Sequence, residues 1–134
     1  MEELTRSAVA ERLGIDNTPG ELSAVNLHLL CEFILQPLRD AWGYPITVNS
    51  GFRCKSLNKA VGGSPSSDHL HGRAADITTG SRSGNKRLFE LAVRMSRSGR
   101  ISFRQLIDES GYSWLHVSIR NAYGDTKRNE VLHL

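Results

Sequence analysis

Between Ser67 and Asp76 the chain reads Ser-Asp-His-Leu-His-Gly-Arg-Ala-Ala-Asp. This stretch supplies one imidazole, His69, on a loop and one carboxylate, Asp76, on the strand expected to follow. A second imidazole, His116, stands far downstream in Trp114-Leu115-His116-Val117-Ser118. Two neutral imidazoles and a carboxylate make a three-ligand set for Zn2+, with the fourth position open to water. An open position points to catalysis, because structural zinc is normally closed by four protein ligands. Zinc lowers the pKa of its bound water to about 7, which supplies hydroxide at neutral pH. Five histidines in 134 residues are no enrichment. Sets of this kind also arise by chance, so spacing alone leaves the metal reading open.

These side chains need elements to hold them. In Trp114 to Ile119 the residues Leu115, Val117 and Ile119 alternate with Trp114, His116 and Ser118. Period-two alternation sends the first set to the core and the second to the other face. Phe103 to Glu109 reads as the preceding strand, with Ser110-Gly111 as the turn signal. Arg73 to Ile77 is a strand with Ala75 and Ile77 on one face and Ala74 and Asp76 on the other. Pro45 to Asn49 is a short strand with Ile46 and Val48 on one face. Residues 5–13 read as a helix capped by Thr5 and stopped by Gly14, and 16–20 as a turn. From Glu21 to Trp42, Leu27, Leu30, Cys31, Ile34, Leu38, Ala41 and Trp42 recur at spacings of three and four, one face of a long helix. Pro37 predicts a kink inside it. Residues 55–61 are one or two helical turns. Residues 84–98 are an amphipathic helix with Leu88, Leu91, Ala92 and Met95 inward. The expected architecture is an α+β single domain over residues 1–134. A small antiparallel sheet is backed by helices, and the zinc site lies on the sheet's open face.

Hydrophobic residues are 39% of the chain and charged residues 23%, which excludes a disordered or fibrous chain. No apolar run approaches the ~20 residues of a membrane span. The opening MEELTRSAVAERLG has no basic-then-apolar leader pattern, so the expectation is a chain cytoplasmic as synthesised, acting on the cell wall after release by lysis. The net charge is +3, with the basic residues scattered. Arg94, Arg97, Arg100 and Arg104 form the densest stretch and read as a solvated helix face and loop. No specific nucleic-acid partner and no membrane partner follow from this, while a mild positive charge suits an anionic polymer such as cell wall. Cys31 and Cys54 form no Cys-x-x-Cys pair; Cys31 reads as a buried free thiol, and Cys54 has no activating group at a known spacing.

The runs Ser50-Gly51-Phe52-Arg53, Leu57-Asn58, Val61-Gly62-Gly63, Ser67-x-His69-x-x-Gly72-x-Ala74-x-Asp76 and Trp114-x-His116-Val117-Ser118 together resemble the zinc D-alanyl-D-alanine carboxypeptidase family. That family also holds the vancomycin-resistance dipeptidase and phage L-alanyl-D-glutamate endolysins. The resemblance covers about residues 17–119. Asn17-x-Pro19 and Pro37-Leu38-Arg39 are similar to its small phage and prophage branch.

The resemblance implies a zinc metallopeptidase, of carboxypeptidase or endopeptidase type. Its implied substrate is a peptidoglycan stem peptide or related D-amino-acid peptide. His69, Asp76 and His116 match its Zn2+ ligands. Arg53 matches the arginine that holds a substrate carboxylate or carbonyl, a task suited to a planar guanidinium. Ser67 matches a small hydroxyl residue near the substrate. The family also uses an acid, or in one branch a histidine, as general base near the last ligand. Many relatives place that acid three residues before the last histidine, where this chain has Ser113. The nearest acids are Glu109 and Asp108. A two- or four-residue turn gives Glu109 the face of His116, and a three-residue turn gives it to Asp108. Glu109 is the preferred catalytic base and Asp108 the alternative. Parity with His116 makes Trp114 a cleft wall. His71 and Asp68 read as loop residues, and His28 and His133 receive no role. Gly72 is expected to serve the backbone, through close approach or positive φ. The absent acid before His116 favours a second expectation, a non-catalytic zinc- or peptidoglycan-binding module on the same fold.

Overall fold

A computed structural model describes residues 2–121, 125 and 128–134. Its first helix, α1 (Ala8–Leu13), is capped by Ser7, whose hydroxyl accepts the Ala10 N–H at 3.1 Å. Thr5, the expected cap, instead donates its hydroxyl to the Glu2 carbonyl, closing a 3-10 turn at Glu2–Leu4. Ser7 wins because it stands immediately before the first helical residue, where a side-chain oxygen meets the orphan N–H groups.

The long apolar periodicity becomes α2 (Glu21–Leu30), a π turn (Cys31–Leu35) and α3 (Gln36–Trp42). Leu27, Leu30, Ile34 and Leu38 are fully buried along it. The difficulty raised by Pro37 is met by the π turn. Gln36 N–H reaches back five residues to the Cys31 carbonyl, which places Pro37 in the first turn of a new helical register. There its missing N–H is not needed and its ring escapes the preceding carbonyl. Cys31 sits at this turn and is half-buried, not buried as expected.

Strand β1 (Thr47–Ser50) leads through a loop to α4 (Lys55–Ala60). A 3-10 turn at Asp68–His71 precedes β2 (Ala74–Thr78). Helix α5 (Arg82–Arg97) is capped by Ser81 and carries Leu88, Ala92 and Met95 into the core. Then come β3 (Gln105–Glu109), β4 (Trp114–Ser118) and β5 (Glu130–His133). The sheet order is β1-β2-β4-β3-β5. The first four strands pair antiparallel, as expected. The fifth was not foreseen: β5 runs parallel to β3, with Gln105 opposite Glu130 and Asp108 opposite His133, which makes the sheet mixed. Four residues reading Glu-Val-Leu-His carry too little alternation to announce a strand, and the parallel pairing adds no hairpin signal.

One face of the sheet presents Ala75, Ile77, Leu106, Leu115 and Val117 to the helices, which close over it with Leu27, Leu30, Ile34, Leu88 and Met95. The other face bears Asp76 and His116. Among the described residues no helix is long and apolar enough to cross a membrane.

Candidate metal centre

Strands β2 and β4 are neighbours, and their register sets Asp76 opposite His116. Alternation therefore stands these two side chains together on the open face, while Ala75, Ile77, Leu115 and Val117 go to the core. His69 arrives from the 3-10 turn. Ser67 caps that turn by accepting the His69 N–H at 3.2 Å. Gly72 ends it at φ 70°, and a Cβ there would lie 2.4 Å from the Ser23 carbonyl. Both reasons anticipated for a glycine hold at this one position.

The His69 side chain is buried, and its Nδ1 lies 2.6 Å from the Gly51 carbonyl oxygen. A carbonyl only accepts, so Nδ1 carries the proton and Nε2 offers its lone pair. That Nε2 is 3.3 Å from Asp76 Oδ1, and His116 Nδ1 is 3.0 Å from the same oxygen. One ligand atom from each of the three residues lies within 4.8 Å of the others. Burial pushes the Asp76 carboxyl up, but the His116 and His69 ring nitrogens set against its oxygen outweigh this and hold it well below the usual carboxylate range. An ionised carboxylate and two imidazole lone pairs are what a Zn2+ site requires, and the Gly51 carbonyl is the outer partner that fixes a histidine ligand's tautomer. The donor set fits the metal.

Gly51 is itself tightly placed, since a Cβ there would lie 2.2 Å from the Leu4 carbonyl oxygen. Two residues on, Arg53 is half-buried. Its Nη2 donates to Ser67 Oγ at 3.4 Å, and its Nε is buried without a partner. Burial pushes this guanidinium down and nearby Asp76 draws it back up.

Arg53, Ser67, His69, Asp76, Glu109, Trp114 and His116 all line one cleft. The hairpin register places the two acids of β3 on opposite faces. Glu109 pairs with Trp114 and Ile107 with His116, so residues 110–113 form a four-residue turn and Glu109 shares the open face. Asp108 pairs with Leu115 on the core side. Its Oδ1 accepts the Tyr112 N–H at 2.6 Å, and its Oδ2 lies 3.0 Å from His133 Nδ1. The alternative base is thus turned away from the cleft, and His133, given no role from sequence, anchors the last strand to it.

The family model for peptidase M15 matches residues 1–118. The chain belongs to peptidase family M15. A zinc D-Ala-D-Ala carboxypeptidase of Streptomyces albus G is 40% identical over 79 residues, covering 56% of this chain and 31% of that protein. This M15 chain therefore spans about a third of that relative's length.

Two residues of the M15 cleft were assigned elsewhere from sequence. Arg94, Arg97 and Arg100 are exposed as expected, but Arg104 is not. Its Nη1 donates to Asp68 Oδ2 at 3.0 Å and to Gln105 Oε1 at 2.9 Å, and its Nε donates to Asp125 Oδ2 at 3.0 Å. Arg104 falls inside the stretch read as a strand from sequence but stands just ahead of β3, and its partners Asp68 and Asp125 lie far from it in the chain. Asp68, expected as a plain loop residue, is the acceptor that joins the histidine turn to this arginine. The only sequence signal for it was its place next to His69. His71 is exposed and stands outside the cluster.

Proposed function

We propose that this M15 chain is a zinc metallopeptidase that hydrolyses a peptide bond in peptidoglycan stem peptides. The observation that carries the reading is the convergence of His69, Asp76 and His116 at the floor of a cleft that also displays Arg53 and Glu109. His69, Asp76 and His116 would hold the Zn2+, which supplies Lewis acidity for peptide hydrolysis at neutral pH. The Gly51 carbonyl keeps His69 Nε2 unprotonated for that task. The Glu109 carboxylate takes the proton of the attacking water and passes it to the departing amine. Arg53 grips a carboxylate or carbonyl of the substrate through its planar fork. Ser67 Oγ, already in contact with Arg53, completes that pocket, and Trp114 walls the cleft. An arginine of this kind serves a carboxypeptidase acting on D-Ala-D-Ala as well as an endopeptidase acting on L-Ala-D-Glu. The proposed place of action is the cell wall.

Zinc-reconstituted protein incubated with defined stem peptides, with and without a chelator, tests this by mass analysis of the products. Cleavage that is lost on chelation and in His116→Ala is expected, and the fragment masses assign the bond. Intact peptides after incubation with the zinc-loaded protein would leave a binding module, the reading that Ser113 favours.

A further inference from the structure

Arg53 presents a puzzle of placement. It lies on the loop between β1 and α4, outside both elements, and its side chain has one long contact, to Ser67, with a buried Nε left over. Asp76 attracts this half-buried cation, but with so few hydrogen bonds its side chain keeps its place only if its main chain is fixed.

The fixing comes from Asn17, in the turn between α1 and α2. Its Nδ2 donates to the Phe52 carbonyl at 2.9 Å, and its Oδ1 accepts the Cys54 N–H at 2.8 Å. The backbone groups on either side of Arg53 thus end on a single amide. The same Nδ2 donates to the Thr5 carbonyl at 2.9 Å, tying this grip to the N-terminal segment. Arg53 N–H goes to the His69 carbonyl at 3.0 Å and Phe52 N–H to the Leu4 carbonyl at 2.7 Å. The Cys54 carbonyl accepts the Asn58 N–H at 2.9 Å, so the main chain of 52–54 is held at five points, two of them by Asn17. A short side-chain amide offers a donor and an acceptor at the spacing these groups require. Aspartate would set an acceptor against two carbonyl oxygens, and alanine would leave all three backbone groups without this partner.

We infer that Asn17 is the positioning residue for Arg53: through the main chain of 52–54 it holds the guanidinium on the cleft wall and thereby sets substrate affinity. This rests on the reading of Arg53 as the substrate anchor given above. Asn17 lies outside the metal cluster and the cleft lining, so its effect passes through the main chain that carries Arg53, and an unchanged zinc content separates this from a shift of His69.

The experiment is a double-mutant cycle with Asn17→Ala and Arg53→Ala, measuring kcat and KM separately on a stem peptide together with zinc content. Asn17→Ala is expected to bind one zinc, to raise KM about tenfold through a displaced anchor, and to leave kcat within about threefold. In the Arg53→Ala background the same change should add less than about twofold. Effects that multiply in the double mutant would overturn the proposal, since Asn17 would then act independently of Arg53. A second readout needs no turnover: 15N relaxation of the Arg53 Nε–H, ordered in the wild type and averaged in Asn17→Ala or the milder Asn17→Ser. An Arg53 signal equally ordered in all three would also overturn it. If the wild type cleaves nothing, the peptidase reading falls, and the relaxation measurement still decides whether Asn17 orders Arg53.

Discussion

Two arginines line the cleft from different loops, in opposite electrostatic states. Arg104 donates from Nε and Nη1 to Asp68, Gln105 and Asp125. Arg53 has one long contact to Ser67 and a buried Nε without a partner. The first is a strut between the histidine turn and the hairpin, with its Nε and Nη1 already engaged. The second feels the charge of Asp76 but donates to no carboxylate among the described residues, a partner that a substrate would provide. The same contrast separates the two neighbouring acids of β3. Asp108 is buried between the Tyr112 N–H and His133. Glu109 faces the cleft, and its carboxylate has no hydrogen-bond or ion-pair partner among the described residues. Location in a cleft does not by itself make a charge functional; what its neighbours leave unsatisfied does.

The sharpest way to break this contrast is Glu109→Gln. It keeps shape and removes the proton acceptor, so kcat should fall roughly 10²–10⁴-fold while zinc analysis still gives one metal per chain. Full kcat would put Glu109 among the structural groups. Arg53→Lys comes next. The charge stays and the fork goes, so kcat/KM should drop about tenfold or more with zinc content and melting temperature unchanged; an unaltered kcat/KM removes Arg53 from the site. Arg104→Ala should behave in the reverse manner. Breaking its partly buried pairs costs about 1–2 kcal/mol, read by denaturant unfolding, while kcat/KM of the folded protein stays within about threefold. A collapse of activity at unchanged stability would make Arg104 a reader of substrate. The smallest effect belongs to Asp108→Asn, whose amide oxygen still accepts the Tyr112 N–H. About 1 kcal/mol or less should be lost, with kcat within about twofold. A loss as large as that of Glu109→Gln would mean that the hairpin register differs from the one described.

The strands that carry the centre were legible because alternation is strict where one face is buried. Leu115 and Val117 could only go inward, and that fixed His116 and Trp114 outward. The choice between Glu109 and Asp108 was open in sequence because it depends on turn length, and Ser110-Gly111 does not tell a two-residue turn from a four-residue one. Both place Glu109 outward, so the preferred acid did not depend on which occurs. The π turn was invisible because apolar spacings of three and four tolerate one extra residue in a turn. Asn17 was read only as a turn residue and a family mark. Its partners lie across the molecule, and no local pattern reports a side chain that bonds a distant backbone. Arg104 and β5 were missed for a related cause, since each is defined by a partner far away in sequence.

That last strand also has a consequence for shelf life and handling. The family match ends at Ser118, yet β3 is an interior strand only because β5 pairs with it in parallel register. A polypeptide trimmed to the matched segment would turn β3 into an open rim with free N–H and C=O groups along Gln105–Glu109. Such a rim recruits other strands edge to edge. The trimmed molecule should be prone to self-association on storage even with every ligand of the metal centre intact. With β5 in place the rim of the sheet moves from β3 to the four residues Glu130–His133.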